Sequence, residues 1–309
     1  MRVLITGASG FVGGHLIRHL READPNAEIV GTVHVGYPIP PAPDSQVRVV
    51  PCDITAHAGL DVRALVADAQ PNHLYHLAGA ASGAADDREM VFAANVTGTQ
   101  CVMAAIREEA PLCRSLFVST GYVYGPCDPN HPAREDAAPH PSGIYAESKQ
   151  AGEPSARAAG AIVARAFNHT GPGQTEAFAV PAFARQIARV ERGLQPPQIE
   201  VGNLDARRDF LDVRDVVRAY RLLLEHGILG ETYNVCSGKS WAMRDILSSL
   251  LDLSPTSIEI VSNPGRMRPS DLPVSVGDSA KLEALTGWGA QIPFEQTLRD
   301  TLDWWREQS

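Results

Sequence analysis

Two side chains near the middle of the chain have the types and spacing of an acid/base pair. Tyr145 and Lys149 stand four residues apart in the segment YAESK. If this segment is helical, the phenol and the ammonium lie on one face of the helix. A nearby positive charge lowers the pKa of a phenol, which could then exchange a proton with a carbonyl or hydroxyl near neutral pH. The same spacing also occurs on ordinary solvated helices, so the pair needs support from its surroundings.

A hydroxyl-bearing segment upstream supplies that support. Residues 119–125 read STGYVYG and follow a predicted strand at 115–119. Open α/β sheets bind their ligands beyond the carboxyl ends of the strands. We therefore expect this segment to lie at the ligand-binding edge of the sheet, where it can meet the Tyr145 helix.

The N-terminal strand leads directly into a glycine turn. Gly7, Gly10 and Gly13 have the spacing G-x-x-G-x-x-G, with Phe11 and Val12 between the last two. Gly7 permits the tight turn, Gly10 allows a pyrophosphate close to the backbone, and Gly13 packs helix against strand. The free N–H groups of the following helix then face the phosphates. The pattern predicts a dinucleotide site that includes Phe11 and Val12.

The choice between NAD and NADP is usually decided at the end of the second strand. An acidic residue there binds the ribose hydroxyls, whereas an arginine accommodates a 2′-phosphate. The residues here are Thr32, Val33, His34, Val35 and Gly36, which offer neither. We expect either cofactor, with a slight preference for NADPH because no carboxylate excludes it and His34 could contact the phosphate.

Two later turns complete the predicted cofactor site. Asp53 and Ile54 follow the third strand and suit the adenine edge, while Leu77, Ala78 and Gly79 let the fourth strand pass close to the cofactor. Each turn could equally be an ordinary connection.

Short β-branched runs alternate with helical patterns through the first half of the chain, which predicts a doubly wound parallel sheet. We expect strands at 2–6, 28–33, 47–50, 73–77, 115–119 and 161–166, and helices at 11–23, 60–69, 87–109 and 144–159. Further helices are expected at 177–192, 213–225, 243–251 and 294–306. Residues 1–167 form the predicted dinucleotide-binding domain, to which parts of 210–236 return, and 168–309 form mainly a smaller α/β substrate lobe.

Composition excludes several other classes. The 309 residues carry a formal net charge of −9, which argues against a nucleic-acid partner. The five cysteines form no C-x-x-C pair and the ten histidines have no ligand spacing, so no metal site is expected. No run approaches the roughly 20 apolar residues of a membrane span, and we expect a cytoplasmic protein.

Together these segments resemble the extended short-chain dehydrogenase/reductase family, whose fold is a Rossmann domain with an appended lobe. The resemblance implies that Thr120 hydrogen-bonds the substrate oxygen, Tyr145 donates the proton, and Lys149 holds the cofactor ribose and tunes the phenol. It also implies a homodimer that pairs through the 87–109 and Tyr145 helices. Dehydratases of the family carry acidic residues directly after the catalytic hydroxyl. Here those positions are Gly121 and Tyr122, which disfavours a dehydratase.

The second half resembles GDP-4-keto-6-deoxy-D-mannose reductases. The matching segments are RAFNHTGPGQ at 165–174, VGNL at 201–204, RDFLDVRD at 208–215 and YNVCSG at 233–238. The resemblance implies reduction of the 4-keto group to give GDP-D-rhamnose, with a nucleotide-sugar 4-epimerase as the alternative. The predicted substrate contacts are Asn168, Arg185, Gln186, Arg208, Arg266 and Arg268. The arginines suit a diphosphate, although they could also form ion pairs or lie in solvent.

Overall fold

The main sheet contains seven parallel strands. The computed structural model describes residues 1–38, 45–55, 59–80, 87–267 and 272–309. The strand order is β10-β6-β5-β4-β1-β2-β3. Its strands are β1 (Arg2–Thr6), β2 (Glu28–Val33), β3 (Val47–Pro51), β4 (His73–His76), β5 (Arg114–Thr120), β6 (Ile162–Ala166) and β10 (Thr232–Val235). The order reverses between β1 and β4, which opens a crevice beyond the carboxyl ends of these two strands.

Helices cover both faces of this sheet, so its central strands are apolar on both sides. On one face, α1 (Phe11–Ala23) packs against α7 (Val213–His226) and α7 against α9 (Ala280–Thr286). The other face carries α2 (Leu60–Ala69), α3 (Arg88–Phe92), α4 (Gly98–Glu109) and α5 (Ile144–Ala158). The predicted doubly wound α/β fold is confirmed.

The predicted helix at 87–109 is interrupted by a different helical geometry. Residues Ala93–Thr97 form a π-helical turn that joins α3 directly to α4. Asp87 caps α3 by accepting a hydrogen bond from the Met90 amide at 3.1 Å. Such a π turn rotates the side chains that follow it relative to an unbroken α-helix, and these turns are frequent at functional sites.

The smaller lobe is built around a second apolar core. Its helices are α6 (Ala179–Glu191), α8 (Met243–Leu251) and α10 (Phe294–Gln308). A parallel pair, β8 (Gln198–Val201) and β12 (Glu259–Ser262), lies beside them. A further small sheet joins β9 (Arg207–Asp212) to β7 (Asn168–Thr170), β11 (Ser240–Ala242) and β13 (Val274–Ser275).

The chain returns from this lobe to the main sheet at Asp212. The buried Asp212 carboxylate caps α7 by accepting from the Arg214 amide at 2.8 Å. It also accepts from the Arg214 guanidinium at 2.8 and 2.7 Å, and from the Thr297 hydroxyl of α10 at 2.8 Å. One carboxylate therefore joins β9, α7 and α10.

No helix in the described ranges is both long and apolar enough to cross a membrane. Within those same ranges, no group of three or more His, Cys, Asp or Glu side chains is placed to hold a metal ion.

Replacing Asp212 by Ala should lower the free energy of unfolding by about 1–3 kcal/mol, because it removes the cap of α7 and the near acceptor of the buried Thr297 hydroxyl, while the half-exposed Arg214 keeps Asp300 as a partner. The control is Asp205→Ala, which removes an exposed pair with Arg244 and should cost less than about 1 kcal/mol. Urea titrations followed by circular dichroism measure both values. Equal costs for the two variants would contradict the assigned role of Asp212.

Candidate active site

The glycine turn after β1 is held in a shape that only glycine permits. Gly7 has φ +73°, and a Cβ there would lie 2.9 Å from the Ala78 amide nitrogen. A Cβ on Gly13 would lie 2.5 Å from the Ala8 carbonyl oxygen. The turn is also tied to β2, since the Gly7 amide donates to the Thr32 hydroxyl at 3.2 Å.

These features fit a dinucleotide phosphate. Gly10 caps α1 without a side-chain hydrogen bond, and the first turn of the helix has no acidic residue. The first N–H groups of α1 are therefore not used by a capping side chain, and the helix dipole favours an anion at this end. Phe11 continues from the turn, and its ring stacks with His169 at 6.4 Å between centroids.

Three other predicted cofactor residues follow β2 and β3. Exposed His34 donates from Nδ1 to the Val35 carbonyl at 2.7 Å. The Asp53 carboxylate accepts from the Thr55 amide and hydroxyl at 2.8 and 2.7 Å, which fixes the turn after β3. Ile54 is buried.

The strand-end segment 77–79 lies against the glycine turn. The Ala78 amide donates to the Thr6 hydroxyl at 3.2 Å, and the Leu77 amide donates to the Thr6 carbonyl at 3.2 Å. A Cβ on Gly79 would lie 2.3 Å from the Asn95 side-chain oxygen. This backbone therefore passes between the glycine turn and the helical turn that carries Asn95.

The structure brings Thr120 and Tyr145 together at the end of β5. Tyr145 lies in the first turn of α5, and its phenol is close enough to the Thr120 side chain for that side chain to lower its pKa. Thr120 is buried and also accepts from the Tyr122 amide at 3.2 Å, which begins a short 3₁₀ turn. Two hydroxyl groups are thus positioned to contact one substrate oxygen.

Lys149 lies one helical turn further along α5 and is almost fully buried. Its ammonium donates to the Val118 carbonyl at 2.8 Å and lies 5.0 Å from the centre of the Phe117 ring. Burial lowers the pKa of Lys149 to about 8, although the charge of Glu153 opposes this shift. The ammonium therefore loses its proton at a much lower pH than an exposed lysine.

The prediction that the Tyr145 pKa is lowered is wrong for the protein without bound cofactor. Burial raises the pKa of Tyr145 to about 12, and the neighbouring Thr120 side chain only partly offsets this. Desolvation penalises the phenolate more than its neighbours stabilise it. Tyr145 therefore carries its proton throughout the physiological range, as a proton donor must.

A buried carboxylate on α5, that of Glu153, connects this helix to the neighbouring strands. Glu153 accepts from the Ser119 hydroxyl at 2.7 Å, from Arg157 at 2.9 Å and from Arg165 at 2.9 and 2.8 Å. Burial acts to raise the pKa of Glu153, but the hydrogen bonds and charge of Arg165 hold it below its ordinary value. This network fixes α5 to the ends of β5 and β6.

A second series of buried hydrogen bonds runs through His76. Thr99 donates its hydroxyl proton to the Asn95 carbonyl at 2.7 Å, so it must accept from His76 Nε2 at 3.0 Å. His76 Nδ1 then accepts from the Thr6 hydroxyl at 2.6 Å. Burial, followed by the charge of Lys149, lowers the pKa of His76 to about 3 and keeps it neutral. His76 therefore links β1, β4 and α4 through a single tautomer.

Asn95 connects this region to the first turn of α5, which carries Tyr145. Its side-chain oxygen accepts from the Ala80 amide at 2.8 Å, and its amide donates to the Ala80 carbonyl at 3.1 Å and the Ser148 hydroxyl at 2.9 Å. Ser148 in turn donates to the Tyr145 carbonyl at 2.8 Å. The π turn therefore ties the strand-end loop to the helix that carries Tyr145.

A cavity of about 370 Å³ lies between the small sheet and α6, and Tyr122, whose amide donates to Thr120, is part of its wall. Tyr122, Asn168, Arg208 and Arg266 line it. Buried Arg208 donates to the Arg207 and Leu272 carbonyls at 2.8 and 2.6 Å. Asn168 donates to the Tyr122 hydroxyl at 3.1 Å. The volume lies within the range of small-molecule sites.

The remaining predicted substrate residues lie in different places. Arg266 lines the cavity with its guanidinium 3.4 Å from the Glu200 carboxylate. Gln186 pairs with the backbone of Glu200 at 2.8 and 3.1 Å, which fixes β8 against α6. Arg185 lies 3.6 Å from the Glu176 carboxylate and is not among the residues that line the cavity. Arg268 lies outside the described residues.

Sequence reasoning missed Glu153, Asn95 and His76. Glu153 continues the spacing of Tyr145 and Lys149 by four more residues, so helical periodicity could have placed it on the same face. Asn95 and His76 had no such signal, because their partners come from distant parts of the chain.

Comparison with known proteins agrees with this geometry. Residues 3–236 match the model of the NAD dependent epimerase/dehydratase family. The GDP-6-deoxy-D-mannose reductase of Pseudomonas aeruginosa is 36% identical, covering 99% of this chain and 98% of the relative. The chain therefore belongs to the NAD dependent epimerase/dehydratase family, and its resemblance to extended short-chain dehydrogenases is confirmed.

Solved structures extend the similarity to the whole fold. The structure of RMD from Pseudomonas aeruginosa complexed with NADPH has a TM-score of 0.83 and 34% identity, covering 100% of both chains. The Thermus thermophilus UDP-glucose 4-epimerase complex with NAD has a TM-score of 0.86 and 28% identity, again covering 100% of both chains. Membership in this family defines a nicotinamide-dependent enzyme.

Two neighbouring glycines offer a matched test of the phosphate turn. Gly13→Ala should displace the Ala8 backbone and weaken NADPH binding by at least about tenfold. Gly14→Ala meets no atom within 4 Å, so binding should be unchanged while the helix gains up to about 1 kcal/mol. Fluorescence titration and thermal unfolding measure these effects. Equal NADPH affinities for the two variants would show that the turn does not bind the phosphates.

The pKa of Lys149 sets the expected pH dependence. The ammonium is charged below about pH 8 and neutral above it, whereas Tyr145 stays protonated to about 12. We expect kcat/KM for NADPH to be level below about pH 7.5 and to fall about tenfold per unit well above pH 8. Lys149→Arg retains the charge, so the fall should disappear even if the rate is lower. A fall near pH 8 that persists in this variant would exclude Lys149 as its source.

Proposed function

We propose that this chain reduces the 4-keto group of GDP-4-keto-6-deoxy-D-mannose to GDP-D-rhamnose. The observation that carries the proposal is the 36% identity with the Pseudomonas reductase over nearly the whole of both chains. The geometry is compatible, because a Thr120–Tyr145 hydroxyl pair lies beside a cavity that contains two arginines.

In this reaction a carbonyl carbon gains a hydride and its oxygen gains a proton. When bound, the reduced nicotinamide supplies the hydride. Tyr145 protonates the substrate oxygen as negative charge develops on it, and the Thr120 hydroxyl donates a hydrogen bond to the same atom. The buried ammonium of Lys149 favours the transient phenolate that remains on Tyr145.

Arg208 and Arg266 are proposed to hold the substrate diphosphate. Both residues line the cavity, and planar guanidinium groups match phosphate oxygens. Asn168 has a second N–H beside the one it donates to Tyr122, and this could bind the same group. We include Arg268 in this set from sequence alone.

NADPH is the proposed preferred cofactor, with NADH as the second possibility. Residues 34–36, directly after β2, include no carboxylate to repel a 2′-phosphate, and exposed His34 offers a ring nitrogen there. The NADPH complex of the similar Pseudomonas protein supports this preference.

We also propose a cytoplasmic homodimer. The five cysteines are free thiols, which suits a reducing compartment. Helices α4 and α5 pack side by side, and α5 presents small, exposed residues such as Ala151, Pro154 and Ala158 that could meet the same helices of a second copy.

A 4-epimerase is the second candidate, favoured by the close structural similarity to the Thermus UDP-glucose 4-epimerase. A dehydratase is disfavoured sterically as well as chemically. A Cβ on Gly121 would lie 2.8 Å from the Phe167 ring, so an acidic side chain does not fit at that position.

The test is to mix the purified protein with GDP-4-keto-6-deoxy-D-mannose and NADPH, or NADH, and follow the absorbance of the reduced nicotinamide. We expect stoichiometric oxidation, faster with NADPH. Tyr145→Phe should reduce kcat by about 10²–10⁴ because it removes the proton donor while keeping the ring. No oxidation with either cofactor, together with a nicotinamide that co-purifies, would favour the epimerase.

A further inference from the structure

Tyr122 is fixed at both ends between the reacting groups and the arginines. Its backbone amide donates to the Thr120 hydroxyl at 3.2 Å, and its phenol oxygen accepts from Asn168 at 3.1 Å. The Arg208 guanidinium carbon lies 6.0 Å from the centre of its ring. The side chain is half-buried and lines the cavity, so its ring is available to a ligand.

The turn that carries Tyr122 has little freedom to move. Gly121 lies directly against the Phe167 ring, and Val123 behind it is fully buried. The Tyr122 phenol is also close enough to influence the pKa of Tyr145. The ring therefore forms a rigid wall that extends from the proton donor into the cavity.

The chemistry of the substrate determines what meets this wall. On the proposed function, the 4-keto oxygen lies at Thr120 and Tyr145, and the diphosphate at C1 lies at Arg208. C1 and C4 are opposite atoms of a hexose ring, so the sugar must span the stretch that Tyr122 lines. One edge of the sugar, C2–C3, carries hydroxyls, and the other, C5–C6, ends in a methyl group in a 6-deoxy sugar.

An aromatic face matches the second edge. The phenol oxygen of Tyr122 is directed to Asn168, which leaves the ring carbons as the surface toward the cavity. Hydroxyls held against such a surface would lose hydrogen bonds to water without replacement. A methyl group loses none and gains apolar burial.

We propose that Tyr122 is a specificity-determining residue, whose ring packs on the C6 methyl group and selects 6-deoxy over 6-hydroxy hexoses. This inference rests on the proposed function and adds the substrate feature that the site recognises. It assigns selectivity to the ring carbons of Tyr122 and not to its hydroxyl.

GDP-D-rhamnose and GDP-mannose form a matched pair for the test, because they differ only in the hydroxyl on C6. Isothermal titration of both into the NADP⁺-bound protein should show about tenfold tighter binding of GDP-D-rhamnose. Tyr122→Phe should keep this ratio, since the ring remains. Tyr122→Ala should reduce it toward one, while the affinity for GDP, which has no hexose, changes much less.

Three outcomes would overturn the assignment. The first is a tenfold ratio that survives in Tyr122→Ala, and the second is a ratio lost in Tyr122→Phe. The third is equal binding of the two ligands by the unchanged protein. If these occur while 4-keto reduction proceeds, only the role of Tyr122 fails. If neither GDP-sugar binds and the ketone is not reduced, the proposed function itself fails. Thermal unfolding and NADPH titration of each variant confirm that it is folded.

Discussion

The burial of the Lys149 ammonium is the constraint around which the active site is organised. A charge removed from water destabilises a fold unless polar groups replace its solvation. Here the Val118 carbonyl accepts directly, the Phe117 ring lies beneath, and Glu153 contributes an opposite charge one helical turn away. Glu153 is in turn stabilised by Arg165 and Ser119, which lie at the carboxyl ends of the central strands.

The same constraint explains why the surrounding polar groups are so fully connected. His76 lies close enough to the ammonium to be affected by its charge, and it remains neutral in one tautomer between two threonines. Asn95 then joins this chain to the first turns of α5 through Ser148. The contacts that hold the buried Lys149 ammonium also fix α5, so the catalytic phenol of Tyr145 has little freedom to move.

Most elements of the main sheet could be predicted from the sequence because their signals are local. Apolar runs and glycine spacing place β1, α1 and the phosphate turn, and i, i+4 spacing places Tyr145 and Lys149. The strands of the smaller lobe were missed because several, such as β7 and β11, have only three residues. Their pairing depends on contacts between distant segments, which a local pattern does not contain.

The pKa of Tyr145 and the partners of Gln186 show the same limit. The spacing indicated a cation near the phenol, but the direction of the pKa shift is set by burial, which depends on the whole fold. Gln186 lies on the predicted helix, yet its amide pairs with β8, whose position no local pattern specified. The roles of individual site residues therefore follow less directly from sequence than the elements that carry them.

The contact between Gly121 and the Phe167 ring limits which substitutions position 121 can accept. The aromatic ring fills the space that any larger side chain at position 121 would need, and Gly277 presses on the same ring from another side. An acid at position 121 would therefore become accessible only after Phe167 had been replaced by a smaller residue. That first replacement would leave a cavity in the core beside Tyr124 before any new chemistry was gained. A change at position 121 in this chain therefore depends on an earlier change at position 167.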